Sequence, residues 1–259
     1  MSSVTVATVV IAGSLFLGML AALELGRRIG KRRLAGDPEG TLAGLGAIEG
    51  AVFGLLGLLI AFTFSGAASR FDDRRRLITE EANAIGTAWL RLDTLPAPAQ
   101  PVLRDLFRSY LDSRLETYRR LPDIKAAAAE YERSQKLQNE IWAKAVDAAR
   151  GSDYPQGAML VLGSLNQMID ITTTRLTATR MHPPPIIFVM LGILALASSL
   201  LAGFGLARSR RRSWVHVAGF AAVMAITVYV ILDIEYPRFG LVRVDAADRV
   251  LLDLRRSMS

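Results

Sequence analysis

The sequence predicts an all-α membrane protein with four transmembrane helices in two pairs and a helical soluble domain between the second and third spans. Hydrophobic residues make up 51% of the 259 residues, and they collect in four blocks instead of spreading evenly as a soluble core requires. Each block has about 20 residues, which as a helix spans the ~30 Å hydrocarbon core of a bilayer. Between the second and third blocks, apolar residues recur at helical spacing.

The four apolar blocks set the predicted division of the chain. The predicted spans are Val4–Leu25, Ala47–Ala67, Pro185–Ala207 and Val215–Leu232. Arginines follow the first block where a signal peptide would carry a small-residue cleavage site, so we predict a retained helix. Short connections predict that the helices of each pair are antiparallel neighbours. The predicted segments are a first hairpin over residues 1–67, a soluble domain over 68–182, a second hairpin over 183–234 and a tail over 235–259.

The soluble domain is predicted to contain four helices. Prolines separate them, because the residue before a proline disfavours the α region. Asp123 precedes the third helix and is its predicted N-cap. The predicted helices are Arg70–Leu95, Val102–Leu121, Ile124–Arg150 and Gln156–Arg180.

The tail turns sharply at Tyr236–Gly240 and then becomes amphipathic. Val250, Leu251 and Leu254 lie on one side of it, with charged residues elsewhere. We predict a helix that packs on the soluble domain, and a helix lying on the membrane surface is the alternative.

The net charge of +7 is concentrated beside the spans. Basic residues crowd the predicted loop Gly26–Gly46 and the predicted turn Arg208–Ser213, whereas the soluble domain is nearly balanced. The charge therefore reflects membrane topology, and with no basic patch interleaved with aromatic residues we predict no nucleic-acid partner. The positive-inside rule places both short loops in the cytoplasm, with the termini and the soluble domain on the opposite side of the membrane.

No pattern in the sequence predicts an enzyme, a metal site or a cofactor. There are no cysteines, which excludes disulfides, thiol catalysis and cysteine-based metal centres. The two histidines, His182 and His216, flank different spans. Glu80 and Glu81 are adjacent, but neighbouring helical positions point about 100° apart, so they cannot act together on one substrate.

The second span carries glycines at helical spacing. Gly50, Gly54 and Gly57 lie three or four residues apart, and small residues at this spacing let membrane helices approach closely. We predict that these three glycines form a helix-packing face.

An apolar stripe runs along the same span. Leu55, Leu58 and Phe62 recur at i, i+3 and i+7, followed by Thr63 and Ser65. In a monomer this stripe would pack on a neighbouring helix. In a symmetric ring it would face the axis as a hydrophobic constriction.

The segment after Phe62 has a distinctive spacing of aromatic and charged residues. A small-residue stretch leads to Arg70 and Phe71, followed by Asp73 and Arg75. This segment resembles a four-span group of bacterial bestrophin-like membrane proteins. In bestrophins proper, a phenylalanine precedes a small-residue stretch and an Arg-Trp-x-Glu-x-Arg segment at the same spacing.

The tail also resembles the closing signature of that group, through Asp233, Glu235, Pro237, Gly240 and Arg243. The resemblance implies a homo-oligomeric ion channel, pentameric by analogy, that conducts inorganic ions, with anions as one class. It also implies that the termini and the helical domain are cytoplasmic, opposite to the orientation that the charges predict.

In such a channel the second span would line the pore, with Leu55, Leu58 and Phe62 as its neck and Thr63 and Ser65 at its polar mouth. Charged residues at the base of the soluble domain would form interhelical ion pairs. The alternative function is a non-conducting membrane scaffold or envelope sensor whose helical domain binds a partner. The residues expected in the ion pairs are Arg70, Asp73, Arg75 and Glu80.

Overall fold

Helices account for almost all of the chain that the structure describes. The computed structural model describes residues 3–36, 45–208 and 214–258. No strand occurs within these ranges, so the all-α prediction is confirmed. The helices are α1 Ser3–Gly36, α2 Leu45–Arg91, α3 Gln100–Arg119, α4 Ile124–Arg150, α5 Pro155–Arg180, α6 Pro185–Gly205, α7 Trp214–Glu235 and α8 Arg249–Ser257.

Four helices are long and apolar enough to cross a membrane: α1, α2, α6 and α7. The chain is therefore a multi-pass membrane protein. The predicted loop from Gly26 is wrong at its start, because α1 continues to Gly36. The lysine, arginines and leucine of this stretch are strong helix formers, which explains the extension. The rest of that loop, residues 37–44, and residues 209–213 of the arginine-rich turn lie outside the described residues.

The chain divides into two compact units. The membrane unit holds the chain up to Ser69 together with His182–Tyr236. The soluble unit holds Arg70–Met181 together with the tail from Pro237. Helix α2 contributes residues to both units without interruption over its 47 residues. The predicted second span and the predicted first soluble helix are therefore one helix.

The membrane unit has its own apolar core, to which α1, α2, α6 and α7 all contribute. Phe53 of α2 makes an edge-on contact with Phe220 of α7, with ring centroids 5.9 Å apart. The buried core residues are Met19, Leu56, Leu191, Ala195, Ala221, Met224, Val228 and Leu232.

In the membrane unit, α1 packs closely against α6 and also contacts α7. A Cβ added at Gly26 would overlap the carbonyl oxygen of Leu200, and one at Gly203 would overlap that of Leu23. The glycines therefore allow backbone-to-backbone contact. Helix α1 therefore packs across the two predicted pairs, against α6 and α7.

The soluble unit is a bundle in which α3 packs on α4, and the second half of α2 together with α5 and α8 completes the core. Asp123 caps α4 as predicted: its Oδ1 accepts a hydrogen bond from the Ala126 amide at 3.0 Å. The tail packs on this bundle, as predicted, with Leu251 and Met258 fully buried. Leu251 and Leu254 of the apolar side of α8 therefore contact the bundle, while Val250 is exposed.

We expect Gly26→Ala to destabilise the membrane unit by ~2 kcal/mol, because the added methyl group must push α1 and α6 apart. Thermal unfolding of the detergent-solubilised protein measures the loss. Gly13→Ala on the same helix is the matched control, since no heavy atom lies within 4 Å of its added Cβ. If both variants unfold at the wild-type temperature, the close contact is contradicted.

Candidate functional site

The predicted neck residues lie on an exposed face of α2. Leu55 is 50% exposed, Leu58 52% and Phe62 67%. No helix of the described chain covers them, whereas Leu56, on another side of the same helix, is buried in the core of the membrane unit. The structure therefore brings the three residues together on one surface that the protomer leaves uncovered.

The predicted glycine face of α2 is also open. No heavy atom lies within 4 Å of a Cβ added at Gly50, Gly54 or Gly57. Within the described protomer these glycines do not mediate helix packing, and that role belongs to Gly26 and Gly203 instead. A packing role for the α2 glycines requires a helix from another chain.

The two polar residues predicted at the mouth of the pore are separated. Ser65 is exposed, but Thr63 is buried, with its hydroxyl donating to the Leu59 carbonyl oxygen at 2.6 Å. A threonine that bonds back to the preceding turn satisfies its own hydroxyl within the helix. Thr63 therefore does not share the exposed surface of Phe62.

The predicted interhelical ion pairs are wrong for three of the four residues. Asp73 and Glu80 both pair with Arg76 of the same helix, at 3.1 and 3.3 Å, and Arg75 pairs with Asp72 at 3.5 Å. Charges three or four positions apart meet on one helix face, which explains these partners. Such exposed pairs contribute little to stability.

Arg70, the fourth residue of that predicted set, is half-buried. The nearby Arg74 is the buried arginine of this segment. It donates to the carbonyl oxygens of Ala178 and Met181, at 3.2 and 3.0 Å. A guanidinium group in this position satisfies carbonyls that the end of α5 leaves without helical partners.

Glu81, one position after the exposed Glu80, lies at the centre of the soluble unit. Arg114 of α3 donates from Nε to Glu81 Oε1 at 2.6 Å, and Arg175 of α5 donates from Nη1 to Glu81 Oε2. Glu81 and Arg114 are fully buried, and Arg175 is almost so. One carboxylate therefore joins α2, α3 and α5.

The tail extends this arrangement. Arg175 Nη2 donates to Asp248 Oδ1 at 3.2 Å, and Arg238 binds the same carboxylate through two nitrogens at 2.7 and 3.0 Å. The Tyr118 ring lies 4.0 Å from the Arg175 guanidinium carbon and 4.4 Å from that of Arg238. Arg114 Nη2 donates to the Tyr118 hydroxyl at 2.7 Å. We call these six residues, Glu81 included, the Glu81 cluster.

Two carboxylates at the ends of the spans have different surroundings. Glu24 accepts a hydrogen bond from Arg28 on the next turn at 2.9 Å. Glu49 lies beside Gly205, and its Oε1 is buried without a hydrogen-bond partner among the described residues. The missing side chain of Gly205 makes room for this oxygen between α2 and α6.

A family model described as Bestrophin-like domain matches residues 6–248. The chain belongs to the bestrophin-like family. No curated protein and no solved structure matches it. The match covers both units of this bestrophin-like protein, and membership indicates an ion-channel type of membrane protein. It confirms the family that the residues around Phe62 and the tail predicted.

The Glu81 cluster of this bestrophin-like protein is built to keep its charges ionised. Burial alone would raise the pKa of Glu81, but the charges and hydrogen bonds of Arg114 and Arg175 outweigh burial and lower the pKa to about 2. The same carboxylate raises the pKa of Arg114 despite the burial of that guanidinium group. Neither group exchanges a proton near neutral pH, so the cluster is suited to holding helices together and not to acid–base chemistry.

Sequence reasoning missed this cluster, although a signal for it exists. Arg114 follows Phe107 and Leu111 at helical spacing, on the buried side of α3. Glu81 likewise lies between Ile78 and Ile85 on the buried side of α2. A charge on an apolar stripe indicates a buried partner of opposite sign, because an isolated buried charge is strongly unfavourable.

We expect Glu81→Gln to destabilise the soluble unit by ~3 kcal/mol, because two buried arginines lose their anionic partner. Denaturant unfolding followed by tryptophan fluorescence measures the loss, since Trp89 is buried in this core. Glu80→Gln is the matched control: loss of this exposed carboxylate should change the free energy of unfolding by less than ~0.5 kcal/mol. Equal stabilities of the two variants would contradict the role of Glu81.

The stability gap between wild type and Glu81→Gln depends on pH. The pKa of Glu81 is lowered from 4.5 to about 2 in the folded protein. Its carboxylate therefore contributes its full stabilisation above pH 4.5 and loses it as pH falls towards 2. Repeating the unfolding at decreasing pH should show the gap narrowing across this range, and a constant gap would contradict the assigned pKa.

Proposed function

We propose that this bestrophin-like protein is a homo-oligomeric ion channel whose pore is lined by α2. The observation that carries the proposal is the exposed stripe of Leu55, Leu58 and Phe62. Family membership supports the channel class, and five copies is the number that the family resemblance implies. Inorganic ions are the proposed substrate, with anions as one class.

Exposure of the stripe alone does not single out α2, because any lipid-facing helix exposes apolar residues. The open glycines add the distinguishing feature. Gly50, Gly54 and Gly57 have the spacing of a close helix contact, and the described protomer provides no helix to fill it. A second copy of this chain is the occupant we propose for the glycine face.

The two faces have the relative placement that a ring of helices needs. At roughly 100° per residue, the stripe is centred between a quarter and a third of a turn from the glycine face. A helix in a ring points one side to the axis and an adjacent side to its neighbour. With the glycines against a neighbouring α2, the stripe would point towards the axis.

A ring of Leu55, Leu58 and Phe62 side chains would close the pore by excluding water. Ions do not pass a narrow hydrophobic constriction that has lost its water, so a small widening opens it. Ser65 would supply a hydroxyl at the polar end of this neck. Thr63, turned into the protomer, would act by packing and not by contact with ions.

One observation favours the alternative, a non-conducting scaffold or sensor whose helical domain binds a partner. The soluble unit exposes three large apolar side chains where α2 ends and α5 begins: Leu90, Met159 and Leu160, at 69%, 73% and 49%. Arg91 Nη1 donates to the Leu160 carbonyl oxygen at 3.1 Å and brings these segments together. A monomeric protein without ion flux would favour this function.

We also propose that the basic end of α1 lies in the cytoplasm and that both termini lie outside the inner membrane of a bacterium. Arg27, Arg28, Lys31, Arg32 and Arg33 follow the first span, which the positive-inside rule places in the cytoplasm. A reporter active only in the cytoplasm, fused after Ser259, should then be silent. An active reporter would support the opposite orientation, which the family resemblance implies.

We expect Phe62→Ala to raise ion flux through the purified protein in liposomes several-fold, because a smaller side chain widens the neck and lets water enter. Ile226→Ala on α7 is the matched control, since Ile226 is 61% exposed on a different span. The control should leave the flux unchanged. The mass of the detergent-solubilised particle should correspond to several copies of the chain.

A monomer, or a protein without flux in which Phe62→Ala has no effect, would overturn the channel proposal. An increase in flux for both variants would instead indicate a general loosening of the membrane unit. Pairing the two substitutions therefore separates a pore residue from a packing residue.

A further inference from the structure

The last three turns of α1 form a basic surface at the end of the first span. The helix has 34 residues, so it is about 50 Å long, well beyond the ~30 Å of the hydrocarbon core. Its apolar part comes first, and the basic residues follow within seven positions. These are Arg27, Arg28, Lys31, Arg32 and Arg33.

Contact with α6 fixes which way the basic residues point. Gly26 and Gly30 lie against α6 and the turn that follows it, so close that an added Cβ at Gly30 would lie 2.7 Å from the Ala207 methyl carbon. At roughly 100° per residue, Arg28, Lys31 and Arg32 lie on the opposite side of α1. All three are exposed. They form a triplet at i, i+3 and i+4 that faces away from the protein.

The triplet has little acidic compensation. Arg28 pairs with Glu24 at 2.9 Å, but no acidic side chain among the described residues lies within ion-pair distance of Lys31 or Arg32. A helix that displays unpaired cations at a membrane boundary attracts negative charge from the bilayer surface.

Apolar side chains lie directly beside these cations. Leu25 is 53% exposed and Ile29 is 40% exposed, and each precedes an arginine of the triplet by three positions. One face of α1 therefore presents an apolar strip next to a cationic strip. A ligand with an acyl chain and a phosphate matches both strips, whereas a free anion matches only the second.

We propose that Arg28, Lys31 and Arg32 bind the phosphate of an anionic phospholipid whose acyl chain lies along Leu25 and Ile29. The lipid belongs to the leaflet that this end of α1 meets. Lys31 and Arg32 contribute most of the binding, because Glu24 already neutralises part of the charge of Arg28. The site is independent of ion conduction.

The test compares lipid binding to the purified full-length protein by native mass spectrometry. Phosphatidylglycerol and phosphatidylcholine are the probes. The wild-type protein should bind phosphatidylglycerol more tightly, and Lys31→Ala with Arg32→Ala should reduce that preference by roughly 25-fold, at about 5-fold for each charge removed. The matched control is Arg75→Ala with Arg76→Ala, which removes two exposed cations from α2 and should leave the preference unchanged.

Further measurements test whether a folding defect explains the loss of lipid preference and whether a free anion is the ligand instead of a lipid. Exchanging Lys31→Arg and Arg32→Lys keeps the charge and should keep the preference, and added salt should weaken it in the wild type. The proposal is overturned if the wild type shows no preference or if the alanine pair retains it. It is also overturned if both double-alanine pairs lose the preference equally, or if inorganic phosphate binds as tightly as phosphatidylglycerol.

Discussion

The buried carboxylate of Glu81 sets the constraint on which the soluble unit depends. Removal of a carboxylate from water is strongly unfavourable unless cationic donors replace the lost hydration. Arg114 and Arg175 supply those donors, but they come from different helices and are buried themselves. Arg175 also pairs with Asp248 of the tail. Because each charged member shares its partners with another, the full set of pairs forms only when all the segments are in register at the same time.

The apolar core around the Glu81 cluster constrains the arrangement of the helices less strictly. Phe107, Leu165 and Leu251 are buried, and cores made of such side chains tolerate repacking if the volume is kept. Hydrogen bonds between guanidinium groups and carboxylates are directional and do not tolerate a shift of one residue. Hydrophobic burial thus drives association of the helices, and the ionic cluster selects the helix register in which its hydrogen bonds can form.

Much of this fold follows from properties that are local in sequence. Hydropathy locates the four spans because a bilayer demands about 20 apolar residues for each. The bounds of α4, Ile124–Arg150, agree with the prediction because a cap at Asp123 and a glycine after Arg150 mark its ends. The extension of α1 past Gly26 was missed, since a glycine that allows helix contact resembles one that begins a loop.

The parts that could not be predicted depend on which helix covers which face. Spacing in the sequence shows that Gly50, Gly54 and Gly57 share one helix face, and it shows equally that Gly26 and Gly30 share one. Long-range packing decides which helix covers each face, and in the structure α6 packs against Gly26 and Gly30. The same limit explains the ion pairs: helical spacing identified the charges near Arg75, but it could not show that Glu81 was the residue directed into the core.

The tail makes the soluble unit discontinuous in sequence, and this affects how the protein is made. Arg175 leaves the ribosome well before Asp248, with α6 and α7 between them. Until both helices have been synthesised and inserted, the incomplete soluble unit exposes the apolar surface that Leu251 later covers. Arg175 likewise lacks its second carboxylate partner, Asp248, until then. Partly folded intermediates of this kind are prone to aggregation. Completion of the soluble unit is thereby coupled to insertion of the second hairpin. A chain that fails to insert this hairpin keeps an incompletely folded soluble unit, which is a substrate for cellular proteolysis.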